Sequence, residues 1–155
     1  MDKPLITALL IFHDILATAL LVAITGQAVA ALCARDVARL FRRPIPYAGE
    51  GLQNIITALV IVMVCLGALL YPSYRLVVKP YLEVHDLRAA NGAFEIKEHF
   101  AALLLLALPA YRESWKAPSR ENRTARLVLT VILCLLVWWN FAVGHMMNSI
   151  AGLFS

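Results

Sequence analysis

Charge is scarce in this chain. Only 15% of its 155 residues are Asp, Glu, Lys or Arg, whereas 61% are hydrophobic and the mean hydropathy is +0.75. A soluble domain carries roughly 25% charged residues to coat its surface, so this composition excludes water as the solvent for most of the surface and points to lipid. Cysteine is limited to Cys33, Cys65 and Cys134, far apart and without a CxxC pair. That excludes a disulfide framework or a thiolate metal site and leaves three small apolar packers. No phosphate loop, nucleophile–base arrangement or zinc-protease motif occurs, so no catalytic residue is expected. No internal repeat and no long hydrophilic segment is present, so residues 1–155 read as a single membrane domain. The net charge of +4 falls in short loops without interleaved aromatics, which excludes nucleic acid as a partner.

What the chain does have is long apolar runs. A helix needs about 20 mostly apolar residues to cross the hydrocarbon, and four segments qualify. They lie at about 5–32, 55–78, 94–114 and 127–151, with an outer connection over about 72–93. The expected fold is all-α: an integral membrane four-helix transmembrane bundle. The run from Leu5 to Leu32 contains only His13 and Asp14 as ionisable groups. It is too long for the apolar region of a secretory signal, and Asp2-Lys3 is a poor positive start for one. Ala30-Ala31-Leu32-Cys33 is close to a lipoprotein cleavage site, but Leu32 is too large there. The run is therefore expected to stay as a helix.

Nine of the 14 Lys and Arg residues, Arg35, Arg39, Arg42, Arg43, Arg112, Lys116, Arg120, Arg123 and Arg126, fall on one side of such a bundle. By the positive-inside rule that side is cytoplasmic, which places both termini outside, on the periplasmic face of a bacterial inner membrane. Tyr71, Tyr74 and Tyr81 are then expected in an outer aromatic belt, and Tyr111 and Trp115 in an inner one. Arg42-Arg43-Pro44-Ile45-Pro46-Tyr47 predicts an extended strap. The outer connection alternates apolar and charged residues, which predicts a short interfacial helix interrupted at Pro80. Asn91-Gly92 predicts a turn before the third helix.

Ionisable residues within a membrane are costly and mark functional sites by default. All four histidines fall in the outer half or the outer connection. His13 sits eight residues into the first helix, roughly 12 Å from its outer end, and His145 is at a similar depth on the fourth. Thr7, Asp14, Thr18 and Thr25 share a face of the first helix. Asn140, Gly144, Asn148 and Gly152 repeat every four residues on the fourth, a spacing that favours helix contacts. The simplest bundle points Asp14, His99, His145 and His13 at a common outer cavity.

Neutral imidazole binds haem iron, copper and zinc. The leading expectation is therefore a periplasm-facing site for haem b or a copper or zinc ion, serving electron transfer or metal handling. His13 and His145 would clamp a haem, with Trp138 or Trp139 flanking the ring. The metal candidates are His13, His99, His145, Asp14, Glu95 and Glu98. Against this stands the plain alternative that Glu95, Lys97, Glu98 and His99 mark the headgroup boundary. In that case Glu95 or Glu98 pairs with Arg75 or Lys79 to hold the outer connection down. Two further functions stand beside the first: proton or ion conduction through Asp14 with His13 as relay, and a structural or assembly subunit contacting other membrane subunits or a second copy.

Tyr71-Pro72-Ser73-Tyr74-Arg75, followed by Phe94-Glu95-Ile96-Lys97-Glu98-His99, resembles a signature of uncharacterised small bacterial membrane proteins. The resemblance covers the second and third helices and implies no known activity. In overall plan the chain is similar to membrane b-type cytochromes and to copper-resistance D domains, compact bundles with histidines on their helices. That similarity is of architecture alone and carries over no ligand.

Overall fold

The computed structural model describes residues 3–33, 50–116 and 121–152. The extended strap expected at residues 42–47, Arg35, Arg39 and Arg120 lie outside the described residues. Four long helices dominate: α1 (Lys3–Leu32), α2 (Glu50–Ser73), α4 (Arg88–Lys116) and α5 (Arg123–Gly152). Between α2 and α4 lie a π-helical turn (Tyr74–Val78) and the short helix α3 (Lys79–Val84). The fold is all-α, as the periodicity predicts.

The helices form a ring. α1 packs on α2 and α5, and α4 packs on the same two, so α1 and α4 face each other across the diagonal. Polar contacts give the direction of each. Asp14 meets Asn148 while Thr25 meets Cys134 and Trp138, so α1 and α5 are antiparallel. Trp115 meets Thr130 and Phe100 meets Trp139, so α4 and α5 are antiparallel too. Both chain ends of the described bundle and the α2–α4 connection therefore share one end. We call this the terminal end, and the other the basic end.

Three helical stretches among the described residues are long and apolar enough to cross a membrane: Pro4–Leu32, Gly51–Val84 and Arg123–Ile150. Large apolar side chains such as Ile15, Val22, Ile55, Leu69 and Leu135 are more than half exposed on the isolated chain, the pattern of a lipid-facing surface. α4 differs. At 29 residues it is about 43 Å long, but charged groups at Glu95, Lys97, Glu98, Arg112 and Glu113 confine its purely apolar stretch to residues 100–111. Its length alone matches a membrane crossing, but its composition is amphipathic and it is not among the three stretches apolar enough to cross.

Two boundaries depart from the sequence reading. Asn91-Gly92 is not a turn: Asn91 N–H donates to Leu87 O at 3.2 Å and helix α4 is already running. The turn comes earlier, at Asp86, whose positive φ of 54° suits a short side chain that tolerates the left-handed region. Pro80 does not interrupt a helix either, because it falls in the first turn of α3, where its missing N–H costs little. Pro72, by contrast, lies inside α2 and removes a donor to the carbonyl four residues back. Two residues later the helix widens into the π turn, which ends at Val78, the end expected for the second helix.

The main core gathers Leu20, Leu21, Ile24, Ile56, Val60, Leu104, Leu108, Leu133 and Val137 around the ring's centre. A smaller cluster, Leu82, Ala90, Val143 and Met147, seals the terminal end under α3.

Candidate functional site

The polar groups of α1 do not stand alone. Near the terminal end, Asn148 on α5 donates to both carboxylate oxygens of Asp14, at 3.1 and 3.5 Å. The Thr18 hydroxyl, one turn further along, donates to Asp14's own carbonyl at 2.9 Å. Deeper, Trp138 Nε1 donates to Thr25 Oγ1 at 3.1 Å, and Thr25 also lies 3.8 Å from Cys134 Sγ. Deeper still, the Tyr111 hydroxyl on α4 donates to Gln27 Oε1 across the bundle's diagonal. Helical phase explains the alignment, since residues 14, 18 and 25 share one face.

Lys97 also crosses the diagonal. Its side chain leaves α4 toward α1 and α5, passing the Phe94 ring with its ammonium 5.3 Å from the centroid. The absence of a side chain at Gly144 makes room for it: a Cβ built there would lie 3.2 Å from Lys97 Nζ. Asp14, Glu98 and His13 are all within its electrostatic reach. His13 is half-buried, and its Nδ1 is enclosed without a hydrogen-bond partner. Lys97 is thus no headgroup-boundary residue, as composition alone suggested. Because it stands 200° round the helix from Glu95, it turns inward while Glu95 faces the α2 extension.

The basic end holds a second polar layer that the sequence reading missed. Gln27, Tyr111 and Thr130 are 0% exposed and Gln53 is 1% exposed. Trp115 Nε1 donates to Thr130 Oγ1 at 3.1 Å, and the Arg126 guanidinium covers the Trp115 ring at 5.4 Å. Tyr111 and Trp115 therefore do not form an interfacial belt. Each has a polar tip that finds a partner inside, which lets the ring bury fully. Gln27 Nε2 and Gln53 Oε1 remain without partners, a donor and an acceptor enclosed where burial without a hydrogen bond costs about 1–3 kcal/mol. Two uncompensated amide atoms are the setting in which a buried water resides.

The common outer cavity expected for Asp14, His99, His145 and His13 does not form, and the candidates separate into three places. His13 and Asp14 join Lys97. His145 lies parallel to Phe141 on its own helix, with centroids 6.4 Å apart. His99 belongs to a pocket on the other side of α4, lined by Tyr71, Tyr74, Arg75, Lys79, Asn91, Phe94, Glu95 and Glu98. Among the described residues no three His, Cys, Asp or Glu side chains converge to hold a metal ion. Trp138 and Trp139 are occupied with Thr25 and with the edge of Phe100. Of the ion pairs expected between Arg75 or Lys79 and Glu95 or Glu98, Lys79–Glu95 forms at 3.4 Å, whereas Arg75 turns back onto Tyr71.

No family model matches the chain, and neither a curated protein nor a solved structure does. Function therefore rests on the geometry alone.

Proposed function

We propose that this is a multi-pass protein of a bacterial inner membrane that moves protons along the polar face of α1. The supporting observation is the pairing of that face with α5, where Asp14 meets Asn148 and Thr25 meets Trp138. Gln27, about 200° round the helix from Thr25, turns instead to Tyr111 on α4. Ionisable groups sit at the entrance, where Lys97 and His13 surround Asp14. Membrane-embedded Asp, His and Lys characteristically face one another along proton routes. Hydroxyls and amides below them carry protons only with water between. The longest interval, Thr18 to Thr25, is about 10 Å along the axis and is walled by Leu21 and Ile24, so a short water chain there sets the rate. With the basic end cytoplasmic, Asp14 is the periplasmic acceptor and Thr25 is the innermost hydroxyl of the face.

Reconstitution tests this reading. Liposomes containing the protein, with a pH-sensitive dye inside and an imposed pH step, should equilibrate faster than protein-free liposomes. Equal rates would remove the proposal.

One observation favours a second reading. The enclosed, unpartnered Nδ1 of His13 leaves an imidazole lone pair available, which suits ligation of haem b or of a copper or zinc ion. An optical spectrum and metal analysis of the purified protein separate the two, since a Soret band lost in His13→Ala supports haem. The lipid-facing residues of α1, α2 and α5 contact lipid in either reading. Native mass spectrometry shows whether a second copy or another subunit shares that surface.

A further inference from the structure

The pocket beside α4 is distinct from the α1 path. It is built mostly from residues 71–75 and 94–99, two stretches separated by residues 76–93 that the fold brings together. The π turn supplies one wall, and such turns often occur at functional sites. Tyr74 stacks on Phe94 with centroids 3.5 Å apart and planes 13° from parallel, and its hydroxyl donates to Asn91 Oδ1 at 3.5 Å. The pocket encloses about 220 Å³. This is below the roughly 300–1,000 Å³ of sites for drug-sized molecules, so its ligand is small.

The charges of the lining define the ligand's chemistry. Two cations, Arg75 and Lys79, face two anions, Glu95 and Glu98. Lys79 and Glu95 satisfy each other at 3.4 Å. Arg75 donates only to the neutral Tyr71 hydroxyl, at 3.3 Å. Glu98 has no hydrogen-bond or ion-pair partner among the described residues. One guanidinium and one carboxylate therefore have no direct ion-pair partner in the same pocket, Glu98 feeling only the more distant Lys97 ammonium. A simple anion would engage the first alone, and a simple cation the second alone.

We propose that this pocket binds a small zwitterion, one ammonium joined by a short linker to one oxyanion. Arg75 takes the oxyanion through its planar fork of donors. Glu98 takes the ammonium. His99 contributes an acceptor: its Nδ1 lies 2.7 Å from the Glu95 carbonyl, which places the proton on Nδ1 and leaves the Nε2 lone pair for the ligand. Both free metabolites and the headgroups of zwitterionic phospholipids carry this chemistry.

Thermal unfolding of the whole protein in a neutral detergent tests the free source. The probes are glycine and phosphoethanolamine, with inorganic phosphate and ethylammonium as single-charge halves. Native mass spectrometry from nanodiscs of phosphatidylethanolamine or of phosphatidylglycerol tests the lipid source. The expected result is stabilisation by a free zwitterion at roughly millimolar concentration, or retention of phosphatidylethanolamine in preference to phosphatidylglycerol. In whichever arm responds, Arg75→Gln and Glu98→Gln should each weaken binding about tenfold or more, and Arg75→Lys should restore part of it. Ligand-free melting temperatures equal to the parent's show that the variants fold. Three results would each overturn the proposal: a single-charge half acting as well as a zwitterion, no binding in either arm, or binding unchanged in both Gln variants. None of them bears on proton movement along α1.

Discussion

Asp14→Asn is expected to abolish proton movement while leaving the bundle folded. Asparagine keeps the shape of aspartate and retains an oxygen to accept from Asn148, which lies 3.1 Å from one carboxylate oxygen. What it loses is the ability to take up and release a proton. Asp14 is also the acid that acts on both Lys97 and His13, so its neutralisation removes the anion the two share. Proteoliposome flux of the variant should fall to that of protein-free vesicles, with an unchanged gel-filtration profile. Flux surviving at the parent's rate would exclude Asp14 from the route. Asn148→Leu is a milder probe, because it keeps the titratable group and removes only the amide that orients it.

Tyr111→Ala should produce the largest loss of stability. Tyr111 is 0% exposed, packs within the main core and crosses the diagonal to Gln27. Truncating a buried aromatic ring costs about 3–5 kcal/mol through lost packing and the cavity left behind. The truncation also strands the Gln27 acceptor beside a donor that already lacks a partner. Tyr111→Phe separates the two contributions, since it keeps the ring and removes the hydroxyl alone, at a cost of about 1 kcal/mol. Thermal unfolding in detergent should therefore rank parent, Phe and Ala in that order with a wide gap before Ala. Phe as damaging as Ala would mean that the hydrogen bond, not the ring, holds the diagonal together.

The helices were legible because lipid imposes a simple demand: every backbone group must be satisfied internally, and long apolar runs show it. Their ends were less so. Pro80 read as a break, yet it falls in the first turn of α3, where its missing N–H costs little. Helical phase put Asp14 and Thr25 on one face of the first helix, and both meet α5. It failed for the histidines because equal depth does not mean convergence: His99 and Lys97 are two residues apart and face opposite sides of α4. Gln27, Gln53 and Tyr111 went unnoticed as a layer because no two of them are close in sequence. A signal was nonetheless present, since a glutamine four to five residues inside the end of an apolar run is costly unless it has a partner.

The account depends on water reaching Asp14 and Thr18. Both are exposed on the isolated chain, as are the lipid-facing Ile15 and Val22. The decisive measurement is labelling of single cysteines at positions 14, 15, 18 and 22 by a charged, membrane-impermeant thiol reagent, after replacement of Cys33, Cys65 and Cys134. The proton route predicts rapid modification at 14 and 18 from the periplasmic side, with 15 and 22 protected by lipid. Protection at all four positions, or equal labelling of all four, would contradict it.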